Sequence, residues 1–73
     1  MKNQSDSFGN LTNFSVGDLV FWKNKGKKET GLITKLFFSV EGGRKVAKAS
    51  IFHMKTEKYL ILPTIILNFE QKR

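Results

Sequence analysis

Apolar residues along this chain recur at every second position in short runs, and no stretch carries a useful 3.6-residue period. The first run, "DLVFW" (residues 18–22), follows Gly17. The second, "GLITKLFFSV" (31–40), ends at Glu41, Gly42 and Gly43, a turn whose Gly-Gly pair can take positive φ. "RKVAKASIFHM" (44–54) is the third, and Lys55, Thr56 and Glu57 then turn the chain into "KYLIL" (58–62). Pro63 ends that run because it has no N–H to give a ladder. "PTII" suits a single 3₁₀ turn before a last short strand, "LNF" (67–69). Five short strands with tight turns predict an all-β, five-stranded small barrel. A helix over residues 45–54 is the alternative. Val, Ile, Phe and Ser dominate there, and neither an N-cap nor a clean stripe is present.

Alternation assigns the faces. Val20 and Trp22 share one side of the first strand, and Leu19 and Phe21 the other. In the third strand Ala47, Ala49 and Ile51 share a face with Lys45 and His53; Val46, Lys48, Ser50 and Phe52 take the opposite one. Small side chains suit a narrow barrel, so Ala47, Ala49 and Ile51 are expected inside with Val20, Ile33, Leu60, Leu62 and Leu67. Leu19, Phe21, Phe37, Phe38, Phe52 and Tyr59 exceed what so small an interior holds. Either the N-terminal segment covers this surplus through Phe8, Leu11 and Phe14, or it forms a contact surface.

"FSVGDLVFW" followed by "TGLITKL" resembles the opening of SH3-like barrels of the KOW and Tudor type, and Gly17, Asp18, Val20, Gly31 and Ile33 match its pattern. "ILPTIILNF" is similar to their ending, a 3₁₀ turn before the last strand. The resemblance runs over residues 14–69. It implies an SH3-like barrel and a binding role, since such domains bind RNA, DNA, proteins or methylated lysine. The composition also resembles that of small proteins of AT-rich phages. Physically, Asp18 is expected to accept amide hydrogen bonds at the turn, and Gly31 to permit a bulge or a close backbone approach. A methyl-lysine cage built from Trp22, Phe52 and Tyr59 would lack the neighbouring carboxylate it needs.

The 73 residues make one small domain, expected as a barrel over 14–70 between a flexible N-terminal tail (1–13) and a C-terminal tail (71–73). There is no cysteine, so no disulfide framework and no thiolate metal site, and a reducing cytoplasmic interior is expected. The longest apolar stretch, "YLILPTIIL", is far too short for a membrane span. Lysine and arginine number 13 against 6 acids, a formal charge of +7. That balance attracts phosphate polymers. Only Arg44 and Arg73 are arginines, however, and lysine enrichment of this kind also follows from AT-rich coding.

The expected function is therefore a non-enzymatic binding module with no cofactor, metal or small-molecule substrate. His53 stands alone, the six acids are scattered, and "GGRK" lacks the strand-to-helix context of a phosphate loop. Nucleic acid is the first expected partner, held by Lys23, Lys25, Lys27 and Lys28 in the first loop and by Arg44, Lys45 and Lys48 near the second turn. A protein partner or a homodimer is the alternative, through Phe21, Phe37, Phe38 and Phe52. The lysine run reads as the longest loop of the barrel. It becomes a nucleic-acid site if the second basic cluster folds in beside it.

Overall fold

The computed structural model of the chain describes residues 13–71. The expected tails, residues 1–13 and 71–73, lie outside this span except for Asn13, at its start, and Gln71, the last residue of the fifth strand. The fold is all-β: β1 (Leu19–Asn24), β2 (Lys27–Glu41), β3 (Arg44–His53), β4 (Lys58–Pro63), a 3₁₀ turn (Thr64–Ile66) and β5 (Asn68–Gln71). All pairings are antiparallel, in the order β4-β3-β2-β1-β5. Among the described residues the sheet is not closed by hydrogen bonds: β4 and β5 are its edges. Residues 45–53 are strand, not helix, because their β-branched and aromatic side chains pack on a pleated sheet.

The first difference from expectation is the lysine loop. There is no long loop. Lys23 and Asn24 close β1, Lys27 and Lys28 open β2, and only Lys25 and Gly26 turn between them. Their φ values, 53° and 81°, are those of a two-residue turn whose twist matches the strands it joins. Lysine is an uncommon residue at positive φ, which is why the pattern did not announce a hairpin.

The second is a bulge. The β2–β3 register passes from Ile33↔Ile51 to Lys35↔Ser50, leaving Thr34 as the extra residue, and the Thr34 hydroxyl donates to the Ser50 carbonyl at 3.0 Å. A one-residue slip exchanges the faces of a strand. Ile33 thus faces inward before the bulge, and Leu36, opposite Ala49, faces inward after it.

The core consists of Val20, Trp22, Ile33, Ala49, Ile51 and Leu67, with Phe14, Leu36, Leu60 and Leu62 packed against it. Trp22 belongs to it; Ala47 is only half-buried. The entry to β1 is held as its turn chemistry predicts. The buried Asp18 carboxylate accepts the Ser15 N–H at 2.8 Å, and the Asp18 N–H donates to the Ser15 carbonyl at 3.0 Å. The Gly17 N–H donates to the Ile33 carbonyl at 2.8 Å, and the Ile33 N–H returns a bond to the Asp18 carbonyl at 3.0 Å.

Candidate functional site

The seven basic residues singled out above fall into two groups, one at each end of the 15-residue β2. Lys23, Lys25, Lys27 and Lys28 surround the β1–β2 turn, while Arg44, Lys45 and Lys48 lie at and beyond the β2–β3 turn. The fold does not bring the two clusters together. Instead it sets the β3–β4 turn beside the β1–β2 hairpin, and with it Lys55 and Lys58. Neither residue was identified from sequence, because their proximity depends on strand register.

Two hydrogen bonds tie the β3–β4 turn to β2, and a third braces that turn internally. The Met54 N–H donates to the Thr30 carbonyl at 3.1 Å. One ring nitrogen of the buried His53, Nε2, lies 2.7 Å from Glu29 Oε1, and Nδ1 lies 2.8 Å from Thr56 Oγ1. The imidazole also sits 5.5 Å from the Trp22 ring. His53 therefore has a structural position, pinning the β3–β4 turn to β2. Buried polar groups of this kind must be paired, and each ring nitrogen has a partner.

Two of the three acids at the lysine end are engaged; Glu57, on the β3–β4 turn, is exposed and makes no ion pair among the described residues. Glu29 is occupied by His53, and Glu70 by Lys28 at 2.7 Å. Lys28 also lies 4.6 Å from the centre of the Phe21 ring. Lys23 and Lys28 are direct cross-strand neighbours, an unfavourable like-charge pair that Glu70 relieves. Among the described residues, no ion pair engages Lys23, Lys25 or Lys27, and all three are exposed.

At the other end Lys48 is bound to Glu41, whose carboxylate also accepts from the Ser39 hydroxyl at 3.4 Å. The Lys48 hydrogen bond, then its charge, hold the Glu41 carboxyl below the usual carboxylate range. Arg44 and Lys45 border a groove of about 820 Å³ between the start of β3, the 3₁₀ turn and β5.

The aromatic candidates are half-buried. Phe21 lies under Lys28, Lys35 lies 6.0 Å from the Phe37 ring, Lys45 5.9 Å from Phe38, and Phe52 packs edge-on against Tyr59 at 5.3 Å. Lysine ammonium groups thus approach three of these rings, those of Phe21, Phe37 and Phe38. The most exposed apolar side chains are others: Ile65, Val40, Tyr59 and Ile61. A cage of Trp22, Phe52 and Tyr59 does not form: Trp22 is buried in the core, whereas Phe52 and Tyr59 pair on the opposite face of the sheet.

Among the described residues no group of three or more His, Cys, Asp or Glu could hold a metal ion, and no helix is long and apolar enough to cross a membrane. In comparisons with family models, curated protein sequences and solved structures, no match to the chain was found.

Proposed function

We propose that this chain is a non-enzymatic, cytoplasmic binding module of SH3-like topology that holds nucleic acid with the end formed by its β1–β2 and β3–β4 turns. The strand order, the 3₁₀ turn before β5 and the matching positions Gly17, Asp18, Val20, Gly31 and Ile33 support the KOW/Tudor-type reading. The observation that carries the function is the charge at that end. Lys23, Lys25 and Lys27 are exposed without an acidic partner among the described residues, Lys55 stands on the adjoining turn and Lys58 opens β4 beside it. Lysines in this arrangement are point charges suited to phosphates, not to base-specific contacts, so the binding is sequence-tolerant.

Anisotropy titrations with a labelled duplex at two salt concentrations test the proposal. Five phosphate contacts give a log–log slope of about −4.5, or roughly a 500-fold weakening between 50 and 200 mM salt. The double substitution Lys25→Glu and Lys27→Glu, which leaves the core untouched, should reduce both affinity and slope. Absent binding at 50 mM salt, or a flat salt dependence, refutes it.

A second reading, homodimerisation, is favoured by one observation. Leu32, Phe52 and Tyr59 form a row across β2, β3 and the edge strand β4, with Ile61 on the same face. Tyr59 and Ile61 remain 67% and 62% exposed. Light scattering should then show a dimer that Ile61→Lys returns to monomer; a wild-type monomer removes this reading.

A further inference from the structure

We infer that the open end of β3 is a second binding site, for an extended acidic peptide segment of a partner protein that adds a short strand where β4 has turned away. This goes beyond the nucleic-acid reading and uses the opposite end of the molecule.

The argument starts with the backbone. Alternate residues of an antiparallel strand direct their N–H and C=O groups to alternate neighbours. The Ser50 carbonyl receives the Thr34 hydroxyl and the Met54 N–H goes to Thr30, so the even-numbered residues here face β2. The His53 carbonyl accepts the Glu57 N–H, and the Ala47 carbonyl accepts the Thr64 hydroxyl at 3.4 Å, so the odd-numbered residues face the β4 side. Lys45 belongs to that odd set. The β3–β4 pairing ends at Lys48↔Pro63, beyond which the chain enters the 3₁₀ turn. The Lys45 N–H and C=O and the Ala47 N–H are therefore aimed at a side where no strand of the described residues lies. Pro63 agrees with this parity, because its missing donor falls in the set pointing away from β3.

An edge of this kind is how sheets recruit extended peptides: main-chain bonds give affinity, and side-chain pockets give selectivity. The space is present. The groove of about 820 Å³ has apolar walls that include Ala47, Pro63, Leu67 and Phe69. Its size suits a bound segment. Charge selects the partner. Arg44 and Lys45 border the groove, and the carboxylate on its lining, Glu41, is already held by Lys48. The segment that fits alternates acidic with apolar side chains, the apolar ones on the groove face of Ala47 and the acids on the opposite face, toward Arg44.

The test uses the full chain at 150 mM salt and a fluorescein-labelled octapeptide of alternating Glu and Leu, with its Lys–Leu counterpart as control. The acidic peptide should bind and the basic one should not. Lys45→Pro, which removes the edge N–H, should weaken binding about tenfold, whereas Lys45→Ala, which keeps it, should cost only about two- to threefold. Lys25→Glu with Lys27→Glu should leave the affinity within about threefold, since those charges lie far beyond a Debye length of roughly 8 Å. A urea titration followed by Trp22 fluorescence verifies that each variant folds. If Lys45→Pro does not fold, Arg44→Glu with Lys45→Glu replaces it, with a loss of at least about tenfold expected. No binding at 1 mM peptide, equal binding of the basic peptide, insensitivity to the groove variants, or loss on changing Lys25 and Lys27 each overturns the inference. So does a tenfold gain on Phe8→Ser with Leu11→Ser, which would make the chain's own N-terminal segment the occupant.

Discussion

Gly31 is where this fold tolerates least, and Gly31→Ala measures that. Gly31 lies in β2 between Val20 of β1 and His53 of β3, where the Trp22 ring and the Ile51 side chain close over it. An added Cβ would stand 2.3 Å from Ile51 Cγ2, 2.9 Å from the Phe52 carbonyl oxygen and 3.2 Å from Trp22 Cη2. The first contact is relieved only if the fully buried Ile51 moves, and the second only if the backbone does. Overpacking of this kind costs about 1–3 kcal/mol, and the backbone contact puts Gly31 at the upper end. The reduced entropy of the unfolded chain returns about 0.4–1 kcal/mol. The net loss is about 2 kcal/mol, a large share of the roughly 4–11 kcal/mol expected for a domain of this size. In thermal terms it is a fall in Tm of about 8–16 °C. Trp22 is the single tryptophan and is buried, so its fluorescence reports the transition directly. In an Ile51→Ala background the same glycine substitution should cost less, because the nearest clash is gone; the residue of the cost then belongs to the Phe52 carbonyl. A Gly31→Ala protein that melts within 2 °C of wild type refutes the reasoning, as does strict additivity with Ile51→Ala.

Two other predictions concern the charged contacts. Glu29→Ala leaves Nε2 of the mostly buried His53 without its partner and should cost about 1–3 kcal/mol, with Glu29→Gln in between because it still offers a hydrogen bond; equal melting of all three proteins would show that the bond contributes nothing. The Glu41 carboxyl is held below its ordinary range in the folded chain by Lys48, so its contribution to stability is present above the unfolded value and is lost as pH falls through the depressed folded one. A carboxyl-carbon NMR titration should show the depression in wild type and its disappearance in Lys48→Ala, whereas an ordinary Glu41 titration in wild type contradicts the pairing.

Much of the fold was legible because turn chemistry and alternation are local. The strands, the Gly42–Gly43 turn, the stop at Pro63 and the 3₁₀ turn follow from residues adjacent in sequence. So do the inward set Val20, Ile33, Ala49, Ile51 and Leu67 and the role of Asp18 at its turn. The candidate site was legible only in part. The lysine cluster was visible, but its neighbours Lys55 and Lys58 come from the β3–β4 turn and the start of β4, about thirty residues away. The Glu29 to His53 bond likewise depends on Gly31 standing opposite His53. The surplus of phenylalanines was apparent, yet the ammonium groups that approach it were not, since Lys28 meets Phe21 only across the hairpin.

By itself, then, the sequence determined an all-β chain: period-2 alternation and Gly and Pro punctuation act within a few residues and leave the backbone little choice. The tertiary structure alone decided how the basic residues divide. A tight turn at Lys25 and Gly26, a bulge at Thr34 and a 15-residue β2 place Lys23 to Lys28 at one end and Arg44 to Lys48 at the other. It also decided which charges remain available, because Glu70 takes Lys28, Glu41 takes Lys48 and His53 takes Glu29. Charge in a sequence is a count. The field a partner meets is what remains after folding has paired those charges over distances that only strand register defines.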